Sequence, residues 1–276
     1  MIDLHSHILH GIDDGPRNLA ESLQMARSYS ANGYKTIAAT PHMIPGTGWM
    51  PSTDLINRKI AALNREVGES DIEIEIISGM EIALDAKIPD LLDEGRLMCL
   101  GDSSCLLIEP PFQQLPFGWE RVVFTIQAKG YSILLAHPER CEQLTWQPRT
   151  LELLRESDVY LQVSYGSLIG RYGRRVARDA RMLVETGQVH CLATDGHSSA
   201  DLDPRDMQAA NEELRKLIGP SNLRLIAFEN PSRVLRGEVL ERIEKSEVVA
   251  RVGKPRRWLF WKHDYRKREL PVSLTK

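Results

Sequence analysis

Five of the eight histidines in this chain follow short apolar segments that have the length of a buried strand. They are His5, His7, His42, His137 and His197. Because the carboxyl ends of parallel strands meet on one side of a sheet or barrel, side chains at those ends can surround one point. Imidazoles interleaved with carboxylates at such a point are typical of a site that holds several metal ions. The pattern therefore predicts an α/β protein with a polynuclear metal centre.

Seven segments have the composition of buried strands, and amphipathic helical patterns lie between them. The predicted strands are Ile2–Leu4, Thr36–Thr40, Glu73–Ser78, Cys105–Ile108, Ser132–Ala136, Val159–Val163 and His190–Thr194. Asn18 has the position of a helix cap, and Gly33, Gly130, Gly187 and Gly219 each follow an apolar stripe as a stop signal. Regular β-then-α order implies a parallel sheet, closed or open.

Length and composition favour one large α/β domain, because 276 residues with 42% apolar residues suffice for a single large core. A net charge of −3 and a pI near 6.3 argue against nucleic acid as a partner. No apolar run approaches the roughly 18 residues of a membrane span. A first strand beginning at Ile2 leaves no room for a signal peptide. Four cysteines without a C-x-x-C pair indicate free thiols, so we expect a cytoplasmic protein.

Most of the predicted strands lead directly into a residue that can bind a metal ion. On a strand, residues two apart point the same way, so His5 and His7 can share one ion. Later strands lead into further donors, namely Glu81, Glu109, His137, Asp195 and His197. Mixed nitrogen and oxygen donors suit manganese, iron, zinc or cobalt. Without thiolate ligands, the donor types do not indicate which of these metals binds.

Three more residues stand close behind these donors. The loop Gly11-Ile12-Asp13-Asp14-Gly15 follows the first strand, and Asp14 is the carboxylate we expect to reach a further ion. Arg140 follows His137 by three residues, and Arg205 follows His197 by eight. Beside a cluster of cations, a guanidinium fork suits a phosphate group, so both arginines are candidate catalytic residues.

A set of motifs spread over residues 1 to about 237 resembles one known family. The motifs are Asp3-Leu4-His5-Ser6-His7, Gly11-Ile12-Asp13-Asp14-Gly15, Thr40-Pro41-His42, Glu81, Glu109, His137, Leu161-Gln162-Val163, Gly166-Ser167-Leu168, Asp195-Gly196-His197 and Glu229-Asn230-Pro231. They resemble the PHP metallophosphoesterases, and within them the bacterial CpsB/YwqE-like protein-tyrosine phosphatases of capsule and exopolysaccharide operons. One departure is His10, where the family usually has proline. It is either a fourth local donor or a loop residue, and we favour the loop residue.

The resemblance implies a distorted (β/α)7 TIM-like barrel with three divalent metal ions, with manganese expected, at the carboxyl ends of the strands. The implied ligands are His5, His7, Glu81 and Asp195 for the first ion, Glu81, Glu109 and His137 for the second, and Asp14, His42 and His197 for the third. Neighbouring cations would generate a hydroxide that attacks the phosphoryl group, with Arg140 and Arg205 neutralising its charge. The implied substrate is phosphotyrosine on a protein, and we expect the tail of a bacterial tyrosine autokinase.

The C-terminal segment differs in character from the rest of the chain. We expect a phosphatase barrel over residues 1–253 and a basic aromatic tail over residues 254–276. The tail has eight lysines and arginines against Asp264 and Glu269, or +6, which leaves the body near −9. It is either a frayed, solvated terminus or a contact for an anionic partner, and we expect at most peripheral attachment to a membrane, through the partner or this tail.

Two other functions compete with a tyrosine phosphatase. A small-molecule phosphatase, such as one acting on histidinol phosphate, would need a stronger general acid, and the sequence names none clearly. A catalytically silent scaffold that binds a kinase is the second alternative, and the complete set of ligands argues against it.

A cysteine phosphatase is excluded by the spacing of its motif. Such an enzyme needs an arginine six residues after its cysteine, but the positions six after the four cysteines are Cys105, Pro111, Gln147 and His197.

Overall fold

The computed structural model describes residues 1–243, in which strands and helices alternate along the chain. The strands of this part are β1 (Ile2–Ser6), β2 (Thr36–Ala39), β3 (His42–Met43), β4 (Glu75–Ser78), β5 (Glu81–Ala83), β6 (Cys105–Glu109), β7 (Ser132–Ala136), β8 (Tyr160–Ser164) and β9 (Cys191–Ala193). The helices are α1 (Leu19–Ala31), α2 (Thr53–Glu69), α3 (Ile88–Asp93), α4 (Trp119–Ala128), α5 (Glu142–Trp146), α6 (Pro148–Glu156), α7 (Tyr165–Leu168), α8 (Arg174–Glu185), α9 (Pro204–Arg224) and α10 (Asn230–Leu235).

The strands pair in parallel around a ring of seven strand positions. Two sheets, with the orders β1-β2-β4 and β3-β5-β6-β7-β8-β9, are continuous because β2 leads into β3 and β4 leads into β5. The last strand position meets the first through two backbone hydrogen bonds. Asp195 N donates to His5 O at 3.1 Å, and His7 N donates to Gly196 O at 2.9 Å. This is the distorted (β/α)7 arrangement that the family resemblance implied, and it brings the carboxyl ends of all strands together.

All seven predicted strands are present, with ends that differ from the prediction by no more than two residues. The short strands β3 and β5 were not predicted, because strands of two and three residues are too short to show alternation. Gly79 lies at the break between β4 and β5. A Cβ atom there would lie 2.9 Å from Thr40 Cγ2 and 3.3 Å from Ala39 O, so the close approach of the two chain segments requires glycine.

The predicted helix signals act at the expected places. Asn18 caps α1, since its side chain accepts a hydrogen bond from Glu21 N at 3.1 Å. The stripe predicted before Gly187 forms the buried face of α8. Gly219, with a φ of 79°, ends the first helical part of α9 as predicted, and a second helical part begins at Pro220 and continues to Arg224.

Two layers of apolar side chains hold the fold together. The larger cluster joins strand residues to the inner faces of the helices, for example Ile37 to Met25 and Ile56. The smaller cluster consists of strand residues such as Leu107 and Leu134, which pack with Val234 and Leu240 near the end of the described chain. Because alternate residues of a strand point to opposite faces, the second cluster forms the interior of the ring. It supports the polar residues at the carboxyl ends from below.

The predicted boundary after Gly253 and the basic tail 254–276 lie outside the described residues. Within residues 1–243, none of the helices combines the length and the apolar character that crossing a bilayer requires.

Candidate metal centre

The side chain of Glu81, the first residue of β5, lies at the centre of four imidazoles. Its Oε1 is 3.2 Å from His5 Nε2 and 2.9 Å from His137 Nε2. Its Oε2 is 3.3 Å from His7 Nε2 and 2.9 Å from His42 Nδ1. Glu81 is 1% exposed, so this carboxylate is surrounded by potential ligands and shielded from water. A carboxylate in this position can bridge two ions.

The structure brings all nine predicted ligands together in overlapping groups. In each group the donor atoms lie within 4.8 Å of one another. The groups are His7, Asp14, His42 and His197; His5, His7 and Glu81; His5, His137 and Asp195; and His42, Glu81 and Glu109. The expected third ligand set falls inside the first group. The expected first set is divided between the second and third groups, because His5 contacts both Glu81 and Asp195.

The distances between donor atoms fit metal coordination. Bonds of about 2.0 to 2.2 Å to a common ion place its ligand atoms about 3 to 3.5 Å apart. Asp14 Oδ1 lies 3.4 Å from both His42 Nε2 and His197 Nε2. His5 Nε2 lies 3.4 Å from Asp195 Oδ1. These separations match those of ligand atoms that share one ion.

Two buried atoms in the cluster show that hydrogen bonds alone do not satisfy it. His42 Nδ1 and Glu81 Oε2 are 2.9 Å apart, yet neither makes a well-formed hydrogen bond with any residue in the described range. Buried polar atoms are nearly always paired, so such a pair indicates a missing ligand. Burial and the negative charge of Glu81 raise the pKa of Glu109, and the imidazoles of His137, His42 and His5 offset only part of this rise. Divalent ions would supply further positive charge, and the donors fit them.

Opposite charges set the protonation of the inner residues. Burial by itself would raise the pKa of Glu81, but the imidazoles of His5, His137 and His42 hold it well below its usual range. Burial opposes the charged form of His42, but the carboxylates of Asp14 and Glu81 raise its pKa to about 10. In this state His42 carries positive charge that an ion would otherwise provide, because the carboxylates stabilise its charged form.

Neighbouring polar groups orient the imidazoles. His5 Nδ1 lies 3.1 Å from Gln162 Oε1, and His7 Nδ1 lies 2.8 Å from Asp13 Oδ2. Each contact places the ring proton on Nδ1 and leaves Nε2 free as a donor to a metal ion. The loop that brings Asp13 to His7 needs glycine at position 15, where a Cβ atom would lie 2.2 Å from His7 O.

Two of the candidate ligands have backbone conformations that are uncommon outside glycine. His137 has a φ of 30° and Asp195 a φ of 53°. Hydrogen bonds hold both turns, since Arg140 N donates to His137 O at 2.9 Å and Asp195 N donates to His5 O. Left-handed conformations of this kind are often found at functional sites, where the surrounding structure maintains them.

The two predicted arginines lie in different surroundings. Arg140 is 20% exposed, and its guanidinium donates to Asp195 Oδ2 at 2.9 Å, at the edge of the donor cluster. It also packs against two aromatic rings, with Cζ 4.5 Å from the centroid of Phe112 and 4.3 Å from that of Tyr172. Arg205 is 90% exposed, and its guanidinium pairs with Asp203 at 3.0 Å. The structure therefore brings Arg140 to the cluster and leaves Arg205 in a surface ion pair.

Several residues of the site were not assigned a role from the sequence. They are Asp13, Gln162, Trp49, Phe112 and Tyr172. Asp13 and Gln162 stood within the recognised motifs, but their position relative to the imidazoles was not visible in the sequence. The aromatic residues lie in loops, where no periodicity marks them. His10 belongs to none of the donor groups among residues 1–243, which agrees with its interpretation as a loop residue.

A parallel α/β fold that delivers nine histidine and carboxylate donors to one cluster, most of them buried, defines a metal-centre protein of the barrel class. The sequence model of the family "Capsular polysaccharide synthesis, CpsB/CapC" matches residues 1–236, and the chain belongs to this family.

Individual relatives agree with this assignment. The chain is 32% identical to the tyrosine-protein phosphatase YwqE of Bacillus subtilis, over 91% of this chain and 98% of that protein. It is 26% identical to the tyrosine-protein phosphatase CpsB of Streptococcus pneumoniae, over 87% of this chain and all of that protein.

Solved structures give the same result. One comes from work on YwqE of Bacillus subtilis and CpsB of Streptococcus pneumoniae, described as unique metal-dependent tyrosine phosphatases. It superimposes with a TM-score of 0.82 at 32% identity, covering 89% of this chain and 98% of that one. A lactonase from Listeria monocytogenes superimposes with a TM-score of 0.52 at 13% identity, covering 85% of this chain and 94% of that one, and supports the fold alone.

Proposed function

We propose that this chain is a metal-dependent protein-tyrosine phosphatase. The observation that carries the proposal is the contact between Arg140 and Asp195 at the edge of the donor cluster. This contact places a guanidinium fork, which suits phosphoryl oxygens, next to residues that suit metal ions. The relatives named as tyrosine phosphatases support the same activity.

The proposed ligands would hold three divalent ions, for which manganese is our choice and iron, zinc and cobalt fit the same donors. His5, His7, Glu81 and Asp195 would hold the first ion, Glu81, Glu109 and His137 the second, and Asp14, His42 and His197 the third. In the second set, His137 Nε2 lies 2.9 Å from Glu81 Oε1 and 3.9 Å from Glu109 Oε1. When bound, such ions lower the pKa of a water molecule and neutralise phosphoryl oxygens.

The protein's own residues orient the groups that take part in the reaction. Asp13 and Gln162 fix the imidazoles of His7 and His5 through hydrogen bonds to Nδ1. Arg140 is held between Asp195 and the aromatic rings, so its charge is already in place when a phosphoryl group arrives. Arg205 is proposed to assist by leaving Asp203 and turning toward the substrate, which its high exposure permits.

The substrate we propose is phosphotyrosine on a protein, specifically the tail of a bacterial tyrosine autokinase in the cytoplasm. A phenolate leaves as the conjugate base of an acid with a pKa of about 10, and therefore needs less protonation than an alkoxide. Burial and the charge of Asp195 raise the pKa of Tyr172 to about 12, so its hydroxyl stays protonated beside Asp195. Because a phenolate needs less protonation than an alkoxide, the site does not require a strong general acid.

The proposal is tested with purified protein, a phosphotyrosine peptide and histidinol phosphate. A chelator should abolish hydrolysis of the peptide, and added manganese should restore it. The Glu81→Gln variant should bind less metal and remain inactive after manganese is added, because the amide lacks the negative charge of the carboxylate. Faster hydrolysis of histidinol phosphate would instead identify a small-molecule phosphatase. Metal binding without hydrolysis of either substrate would identify a scaffold, and full activity without metal would contradict the mechanism.

A further inference from the structure

Two exposed aromatic rings lie next to imidazoles that contact different oxygens of Glu81. Trp49 stacks on His42 with ring centroids 5.0 Å apart and an angle of 4° between the planes, and His42 contacts Glu81 Oε2. The ring centroid of Phe112 lies 6.4 Å from that of His137, which contacts Glu81 Oε1. An aromatic side chain is therefore present at two edges of the candidate metal centre.

Phe112 is held in place although its ring is half exposed. The residue is 49% exposed, so part of the ring is accessible to a ligand. Pro110 and Pro111 precede it and restrict the backbone, and Phe112 O accepts a hydrogen bond from Glu142 N at 2.8 Å. The guanidinium of Arg140 packs on the ring. The position of the ring is thus set before a ligand binds.

The position of Phe112 relative to Arg140 distinguishes it from Trp49. One face of Trp49 is covered by His42, a candidate ligand. Phe112 instead adjoins the guanidinium that we propose to contact the phosphoryl group. In an aryl phosphate the phosphorus atom is only two bonds from a ring carbon. A substrate whose phosphoryl group contacts Arg140 therefore carries its ring into the neighbourhood of Phe112.

We propose that Phe112 binds the aromatic ring of the leaving group and thereby favours aryl phosphates over phosphates without a ring. This inference rests on the proposed function and specifies how the site recognises its substrate class. Aromatic pairs are attractive at centroid distances of about 4.5 to 7 Å, in offset or edge-to-face geometry. A contact that forms only with an aryl group raises kcat/KM for that group alone, which is the definition of a specificity-determining residue.

The test uses the manganese-loaded enzyme with phenyl phosphate and acetyl phosphate. Acetyl phosphate has no ring but has a good leaving group, so its hydrolysis reports on the centre and on Arg140 without the aryl contact. The variants are Phe112→Leu, which removes the ring, and Phe112→Tyr, which keeps it. Phe124→Leu is the matched control, because Phe124 lies on α4 and is 70% exposed.

We expect Phe112→Leu to lower kcat/KM for phenyl phosphate by about three- to tenfold while acetyl phosphate changes by less than about twofold. Phe112→Tyr and Phe124→Leu should behave like the wild type with both substrates. Equal losses on both substrates would show that Phe112 acts only by positioning Arg140, and unchanged kinetics would show that it does not contact the ring. Either result overturns this inference and leaves the proposed function intact. A wild-type enzyme that hydrolyses acetyl phosphate but not phenyl phosphate would contradict both.

Discussion

The carboxylate of Asp13 lies 2.8 Å from Nδ1 of His7 and accepts a hydrogen bond from it. Because a carboxylate can only accept, this contact selects the tautomer with the proton on Nδ1. Nε2 of His7, which lies 3.3 Å from Glu81 Oε2, then keeps the lone pair that a metal ion needs. Burial opposes the charged form of Asp13, but His7 and the backbone N–H groups of Gly15 and His42 lower its pKa. Asp13 therefore acts as a positioning residue for the metal centre, next to the proposed ligand Asp14.

Replacing Asp13 with Asn should weaken manganese binding by about 10- to 100-fold, the usual effect of losing a residue that orients a ligand. An amide can present its NH2 group to His7 and so favour the wrong tautomer. Manganese titrations followed by activity and by metal content would measure the change. Asp54→Asn, at an exposed position of α2, is the control. Equal manganese affinity in the Asp13 variant and the wild type would exclude this role.

The Arg140→Ala and Arg205→Ala variants should each have a kcat/KM on a phosphotyrosine peptide that is lower by roughly a hundredfold or more, while metal content stays intact. The reason is the loss of a charge donor to the phosphoryl group. Arg149→Ala serves as control, since Arg149 is 65% exposed and pairs with Glu152 on the surface. Loss of metal from the Arg140 variant would mean that its bond to Asp195 is structural. Wild-type kinetics in the Arg205 variant would leave that residue in its ion pair with Asp203.

The stability of the protein should fall as the pH is lowered through the range governed by His190. Burial, and then the charge of Arg242, lowers the pKa of His190 to about 4, and Leu161 N donates to its Nδ1 at 3.1 Å. The unfolded chain binds this proton below a pH of about 6.5, but the folded chain does not until a pH of about 4. Protonation of the unfolded state therefore reduces the free energy of unfolding across that window.

His190→Asn should reduce this dependence, because Asn keeps an acceptor for Leu161 N and does not titrate. Between about pH 7.5 and about pH 5, the wild type should lose roughly 2 kcal/mol more of its free energy of unfolding than the variant. Urea denaturation at both pH values measures the difference. Parallel pH profiles would show that His190 is not buried in its neutral form.

Deleting residues 254–276 should weaken kcat/KM on a phosphorylated kinase tail, most strongly at low salt. The deleted segment carries +6, and each phosphate of the substrate carries about −1.5 to −2. Attraction between them raises the rate of encounter and is screened by salt. Turnover of p-nitrophenyl phosphate should not change, because that small substrate does not need the tail. Identical kinetics on the kinase tail at low salt would identify the segment as a solvated terminus.

The strand positions and the donors were accessible from the sequence because both depend on local patterns. A buried parallel strand such as Ser132–Ala136 is a continuous apolar run, and the residue that follows it must lie at the carboxyl edge of the sheet. The residue type at that edge, here His137, then indicates the chemistry. For the same reason β3 and β5 escaped prediction, since strands of two or three residues carry no pattern of their own.

The tertiary structure alone decided how these donors face one another. Asp13 and Asp14 are neighbours of the same type, yet one orients His7 and the other approaches His42 and His197. Arg140 and Arg205 both follow a candidate ligand, but only the first contacts the cluster. The direction of a side chain in a loop depends on contacts with residues far away in the chain. A sequence therefore determines which chemical groups reach the carboxyl edge, and the packing of distant segments determines which of them meet.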